Sequence, residues 1–135
     1  MALKNVGLLT MNQRPKILAV DDNPGILDAL NDILSFEGYE VTTLMDGNSI
    51  FEAIAATEPD LILLDVMLDN LDGRDICHAL KDDKNTNHIP VILISATHDL
   101  HDVLKDPGAP NDFVAKPFDI HYLLNKIDNQ IKHAA

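Results

Sequence analysis

Cysteine is almost missing from this sequence: Cys77 stands alone among 135 residues. One thiol cannot form an internal disulfide, so the fold must rest on its core, as expected of a protein in the reducing cytoplasm. Cys77 falls at an apolar helical position and reads as core rather than nucleophile. Tryptophan is absent and aromatics make up only 4% of the chain. Positive charge is scarce as well, with 10 basic against 22 acidic residues and a net charge of −12. No stretch concentrates Lys or Arg, which argues against direct binding of nucleic acid or of anionic membranes. No apolar run approaches the roughly 20 residues of a membrane span. Residues 1–14 hold one brief apolar patch, Val6 to Leu9, shorter than the core of a secretion signal. They read as a disordered or loosely docked N-terminal tail, with one domain over 15–135.

What is present is a regular alternation. Ile17-Leu18-Ala19-Val20 reads as a buried strand, and Asp21-Asp22-Asn23-Pro24 supplies a cap and a proline for the next helix. Ile26, Leu27, Leu30, Ile33 and Leu34 mark one face of that helix, and Gly38 ends it. Tyr39 to Leu44 is a second strand. Asp46-Gly47 opens a helix with Ile50, Phe51, Ile54 and Ala55 on one face. Leu61-Ile62-Leu63-Leu64 is an unbroken apolar run ending at Asp65, the pattern of a strand buried on both faces. A polar loop, Leu68 to Gly73, leads to a helix with Ile76, Cys77 and Leu80 inward. Val91 to Ile94 ends at Ser95, residues 98–105 suit a short helix, and Asp112 to Ala115 ends at Lys116-Pro117. Asp119 caps a last helix with Ile120, Leu123, Leu124, Ile127 and Ile131 on one face.

Strand and helix thus alternate five times, with connections long enough for right-handed crossovers. The expected fold is α/β: a flavodoxin-like, doubly wound, five-stranded parallel sheet in the order 2-1-3-4-5 with five flanking helices. In that order Asp21, Asp22, Asp65, Ser95 and Lys116 all fall at the carboxyl edge of the sheet, where ligands of open α/β sheets bind. Capping accounts for Asp22 alone. Three carboxylates held close together must take up protons or bind a cation, and oxygen ligands with an open side favour Mg²⁺. Lys116 and Ser95 suit the oxygens of a phosphoryl group, which leaves Asp65 as the nucleophile of an aspartyl phosphate. His98 and His101, three apart, are a weaker metal pair with no further ligand in view.

In these residues the chain resembles the receiver domain of two-component response regulators, in the form of the single-domain chemotaxis regulators. The matching segments are Ile17 to Asn23, Pro59 to Leu68, Asp72-Gly73, Ile94-Ser95-Ala96 and Asp112 to Phe118. The resemblance implies a phosphorylation-controlled switch, not an enzyme in the usual sense. Asp65 would accept phosphate from a sensor histidine kinase or a phosphotransfer protein. Asp21, Asp22, Asp65 and the Met67 backbone carbonyl would serve Mg²⁺. Ser95 would be the switch hydroxyl, Phe113 the switch aromatic and Lys116 the phosphate-sensing cation, its bond to Pro117 cis. Met67 would tune the lifetime of the phosphoryl group, and a downstream protein or output domain would read the state.

Two features depart from the family pattern. Asp69 stands where a proline is frequent, and Thr97 to Asn111 is about one residue short. The chain is expected to be either a stand-alone regulator or a receiver from a longer protein. The same residues argue against other functions. A constitutive docking module would have no use for the acceptor set. An aspartyl-phosphate hydrolase would need an acid two residues after Asp65, where Met67 stands. A flavodoxin-like cofactor binder would need a glycine-rich cradle after the first strand.

Overall fold

The centre of the molecule is the apolar run before Asp65. In the computed structural model, which describes residues 14–96 and 108–134, it forms a strand whose every residue is buried. The main sheet comprises β1 (Lys16–Val20), β2 (Glu40–Leu44), β3 (Leu61–Asp65), β4 (Val91–Ser95) and β5 (Asp112–Ala115). All neighbouring pairs are parallel and the order is β2-β1-β3-β4-β5, as expected. The helices are α1 (Pro24–Phe36), α2 (Ile50–Thr57), α3 (Gly73–Asp82) and α4 (Ile120–Ala134). Four helices therefore stand among the described residues; the fifth, expected over 98–105, lies outside them, as do His98, His101 and residues 1–13.

Strand alternation divides the interior in two. Leu18, Val20, Ile62, Leu64, Val91 and Leu93 point to one side, where Ile50 and Ile54 of α2 and Cys77 and Leu80 of α3 cover them. Ile17, Ala19, Leu61, Leu63, Ile92 and Ile94 point to the other, against Leu27, Leu30 and Leu34 of α1 and Leu123 and Ile127 of α4. Burying each of the four apolar side chains of β3 contributes roughly 1.5–3 kcal/mol. That sum is large enough to carry the cost of holding buried carboxylates at the strand ends.

The helix starts are set by side chains that occupy unpaired amides. Asn23 accepts from the amides of Gly25 and Ile26 at 2.9 and 3.3 Å, with Pro24 in the first turn of α1. Asp72 accepts from the Arg74 amide at 2.8 Å and starts α3. Asp119 accepts from the His121 amide at 2.7 Å before α4. Gly38, at φ +98°, follows α1 in a conformation that only glycine adopts without cost.

Three local expectations are corrected. The stretch from Leu68 to Gly73 is not simply a loop: Met67–Leu68 and Leu71–Asp72 pair as a short antiparallel ribbon. Asp46 opens a 3₁₀ turn, Gly47–Ser49, before α2 begins at Ile50. Phe51 does not face inward but is 41% exposed, and Ala55 is exposed with it. The buried face of α2 runs through Ile50 and Ile54 and tilts toward Ala53.

Candidate functional site

The strand register explains why distant residues meet. Val20 pairs with Leu64, so the next residues, Asp21 and Asp65, leave the sheet side by side. Asp65 pairs with Ile94, which puts Ser95 one step beyond it. Ser95 pairs with Ala115, so Lys116 follows in turn, its amide donating to the Ser95 carbonyl at 2.7 Å. The Lys116–Pro117 peptide is cis.

Three side chains are in direct contact. Lys116 Nζ lies 3.2 Å from Asp21 Oδ2 and 3.3 Å from Asp65 Oδ1. Asp21 and Asp65 are 3% and 5% exposed, so these charges are held largely away from water. Burial raises the pKa of Asp65, repulsion from Asp21 raises it further, and Lys116 and the Met67 amide only partly offset both. Burial opposes the Lys116 charge, but the two carboxylates outweigh it and hold the ammonium above its ordinary range. An acid with this environment is short of positive charge.

Asp22, half-buried, completes the acidic group. Asp21, Asp22 and Asp65 each offer a carboxylate oxygen within 4.8 Å of the others. An all-oxygen donor set of this size fits a hard divalent cation such as Mg²⁺. Asp21 has a second task, since its Oδ1 accepts from the Asn23 amide at 2.9 Å and ties the acid to the start of α1.

The other expected site residues lie around this centre. Ser95 is 1% exposed at the end of β4. Phe113 is partly buried against the core on the α2 and α3 side, and lines a surface recess with Phe118 and Tyr122. Met67 is 67% exposed just past β3. Cys77 is buried and burial pushes its thiol up to about 11, which suits a core residue and not a nucleophile.

Gly73 is a position whose role was not read from sequence beyond the motif. Its amide donates to the Val66 carbonyl at 2.7 Å. A Cβ there would run into the backbone carbonyl of Asp65 and come within 2.9 Å of the Val66 Cα. The first residue of α3 thus abuts the end of β3 itself. A glycine directly after a capping Asp, where helix formers are ordinary, was the available clue.

Residues 17–128 match the response regulator receiver domain. The chain belongs to that family. Among curated relatives, the receiver is 36% identical over 115 residues to the DNA-binding dual master transcriptional regulator RpaA of Synechocystis, covering 84% of this chain and 47% of that protein. It is 44% identical over 106 residues to the response regulator PleD of Caulobacter vibrioides, covering 77% and 23%. The receiver therefore spans less than half the length of these relatives. Among solved structures, a CheY-like receiver domain protein from Methanospirillum hungatei superposes with a TM-score of 0.81 at 26% identity, covering 90% of this chain and 97% of that one. The response regulator TrrA of Thermotoga maritima, in complex with Mg²⁺ and BeF, gives 0.75 at 26% identity, covering 86% and 98%. Receiver domains are switches of two-component signalling and bind Mg²⁺ at an Asp cluster. Among the described residues, no helix is long and apolar enough to cross a membrane.

Proposed function

We propose that this receiver is a phosphorylation-controlled switch of the cytoplasm that takes its phosphoryl group onto Asp65 from a sensor histidine kinase or phosphotransfer protein. The observation that carries the reading is the contact of Lys116 with both Asp21 and Asp65 at the carboxyl edge of the sheet. In the transfer, an Asp65 carboxylate oxygen attacks phosphorus, the bond from phosphorus to the donor imidazole nitrogen breaks, and that nitrogen keeps the electron pair. Asp21, Asp22, Asp65 and the Met67 carbonyl would hold Mg²⁺, which when bound neutralises charge on the carboxylates and the phosphoryl oxygens.

Lys116 then serves as the fixed cation. It exchanges its contact with Asp65 for one with a phosphoryl oxygen, from its place just past the end of β5. The Ser95 hydroxyl donates to another phosphoryl oxygen, a charge-assisted bond that draws it inward. Phe113 responds by packing, since its ring has no polar group to hold it in either state. The face around Phe113, Phe118 and Tyr122 thereby changes shape, and a downstream protein or output domain that prefers one state shifts the population.

Acetyl phosphate with Mg²⁺ is the test. One phosphate should be added by intact mass, none to Asp65→Asn, and Asp22→Ala or excess chelator should slow labelling strongly. Full labelling of Asp65→Asn would refute the assignment. A folded parent that takes no label would favour a constitutive docking module instead. Beryllofluoride should shift NMR signals of Phe113 as well as those near Asp65, and Ser95→Ala should weaken the distant shift.

A further inference from the structure

The ribbon of Met67–Leu68 and Leu71–Asp72 carries backbone on which Asp65 depends, since the Met67 amide donates to its carboxylate. A ribbon this short is not held in place by its own pairing. Its apolar side chains do that instead. Leu68 is 5% exposed and Leu71 is half-buried, and both pack into the compartment of α2 and α3. There they meet Ile76 of α3 over Gly47, the buried first residue of the 3₁₀ turn after β2.

The fit is tight. A Cβ on Gly47 would come within 2.9 Å of Leu68 Cδ1 and within 3.0 Å of the Cδ1 atoms of Leu71 and Ile76. One methyl group would press on three side chains at once, in an interior packed as densely as an organic crystal. Backbone conformation does not call for glycine here, because among the described glycines only Gly38 and Gly108 have a positive φ. Space does. The turn beneath the ribbon is itself well anchored. Asp46 accepts from the Asn48 amide at 3.0 Å and from the Ser49 hydroxyl at 3.3 Å. The strand that leads into it is tied to Asp21, whose amide donates to the Leu44 carbonyl at 3.1 Å. Gly47 therefore joins the Asp21 side of the acidic group to the Met67 side.

We propose that Gly47 is a positioning residue for the Asp65 site: its missing side chain lets Leu68 and Leu71 seat on the turn after β2, which fixes the Met67 backbone beside Asp65. The inference rests on the proposed function, in which the Met67 carbonyl is a ligand of Mg²⁺. That ion demands near-ideal octahedral geometry, so a ribbon lifted off its seat holds it less well.

Mg²⁺ titration of the full chain, followed by amide NMR at a temperature where the variants are folded, tests the seat. Gly47→Ala should raise the Kd for Mg²⁺ several-fold and Gly47→Val further; if the valine variant does not fold, the alanine variant carries the comparison. In chelator Gly47→Ala should shift the amides of Met67, Leu68 and Asp72 and leave those of α4 unmoved. Leu71→Ala, which empties part of the seat, should bring the Kd of Gly47→Ala back toward the parent value. Ile127→Val removes packing on the opposite face of the sheet and should leave the Kd unchanged. A Gly47→Ala chain that binds Mg²⁺ as tightly as the parent would overturn the proposal, as would an equal loss in Ile127→Val. A parent that binds no Mg²⁺ would instead overturn the proposed function, and the ribbon amides in chelator would still show whether Gly47 seats them.

Discussion

The amide of Gly73 donates to the carbonyl of Val66 at 2.7 Å, joining the first residue of α3 to the residue that follows β3. No side chain fits between them, because a Cβ on Gly73 meets the Asp65 carbonyl. Gly73→Ala should therefore lower stability by roughly 1–3 kcal/mol through overpacking, although alanine is the better helix former. Denaturant unfolding measures this. An unchanged midpoint would mean that α3 can back away freely, and the tight contact would lose its significance.

Stability should depend on Asp65 in opposite directions with and without metal. Its pKa is raised above the ordinary 3.8 by burial first and by Asp21 second. A carboxyl whose folded pKa is raised favours folding below that ordinary value, and its contribution is lost as pH rises through the folded value. In chelator, Asp65→Asn should thus melt above the parent at neutral pH, the gap closing below pH 3.8. Mg²⁺ at 100 times its Kd should stabilise the parent by about 2.7 kcal/mol and the variant by less. Melting scans in chelator and in Mg²⁺ decide the matter, and a parent indifferent to Mg²⁺ would argue against the metal site.

The Cys77 thiol should be silent in the native protein. Burial pushes it up from 9.0 to about 11, so its contribution to folding is full below pH 9.0 and is lost progressively as pH rises through about 11. A disulfide reagent at pH 8 should label it at the rate of unfolding and at once in denaturant. Rapid native labelling would contradict its place on the buried face of α3.

Met67 bears on lifetime. Its thioether is exposed two residues after Asp65 and has no group to orient an attacking water. Met67→Asn should shorten the persistence of the phosphoryl group on Asp65, followed by intact mass after the donor is removed. An equal or longer lifetime would count against the role.

Much of this architecture was legible because it rests on pattern. Apolar runs ending in single polar residues locate the strands, and the parallel order brings Asp21, Asp65, Ser95 and Lys116 to one edge. What escaped was what periodicity does not carry. Phe51 and Ala55 shared a plausible stripe with Ile50 and Ile54, yet in a short aliphatic helix several stripes are equally apolar, and packing chose the one through Ala53. The Met67–Leu68 and Leu71–Asp72 ribbon is too short to show an alternation. Gly73 matters through a backbone contact across the sheet edge, which no local pattern encodes.

The division of the interior by β3 has a consequence for inheritance. Leu63 and Leu64 are adjacent in the chain but belong to opposite compartments, Leu63 with α1 and α4 and Leu64 with α2 and α3. Side chains that share no partner lose stability additively, whereas those in contact compensate or aggravate one another. A change at Leu64 is thus epistatic with Ile54 and Cys77, many residues away, more than with its own neighbour. The lineage of this domain is free to repack one side while leaving the other intact, and the unit of constraint is a face of the sheet instead of a stretch of sequence.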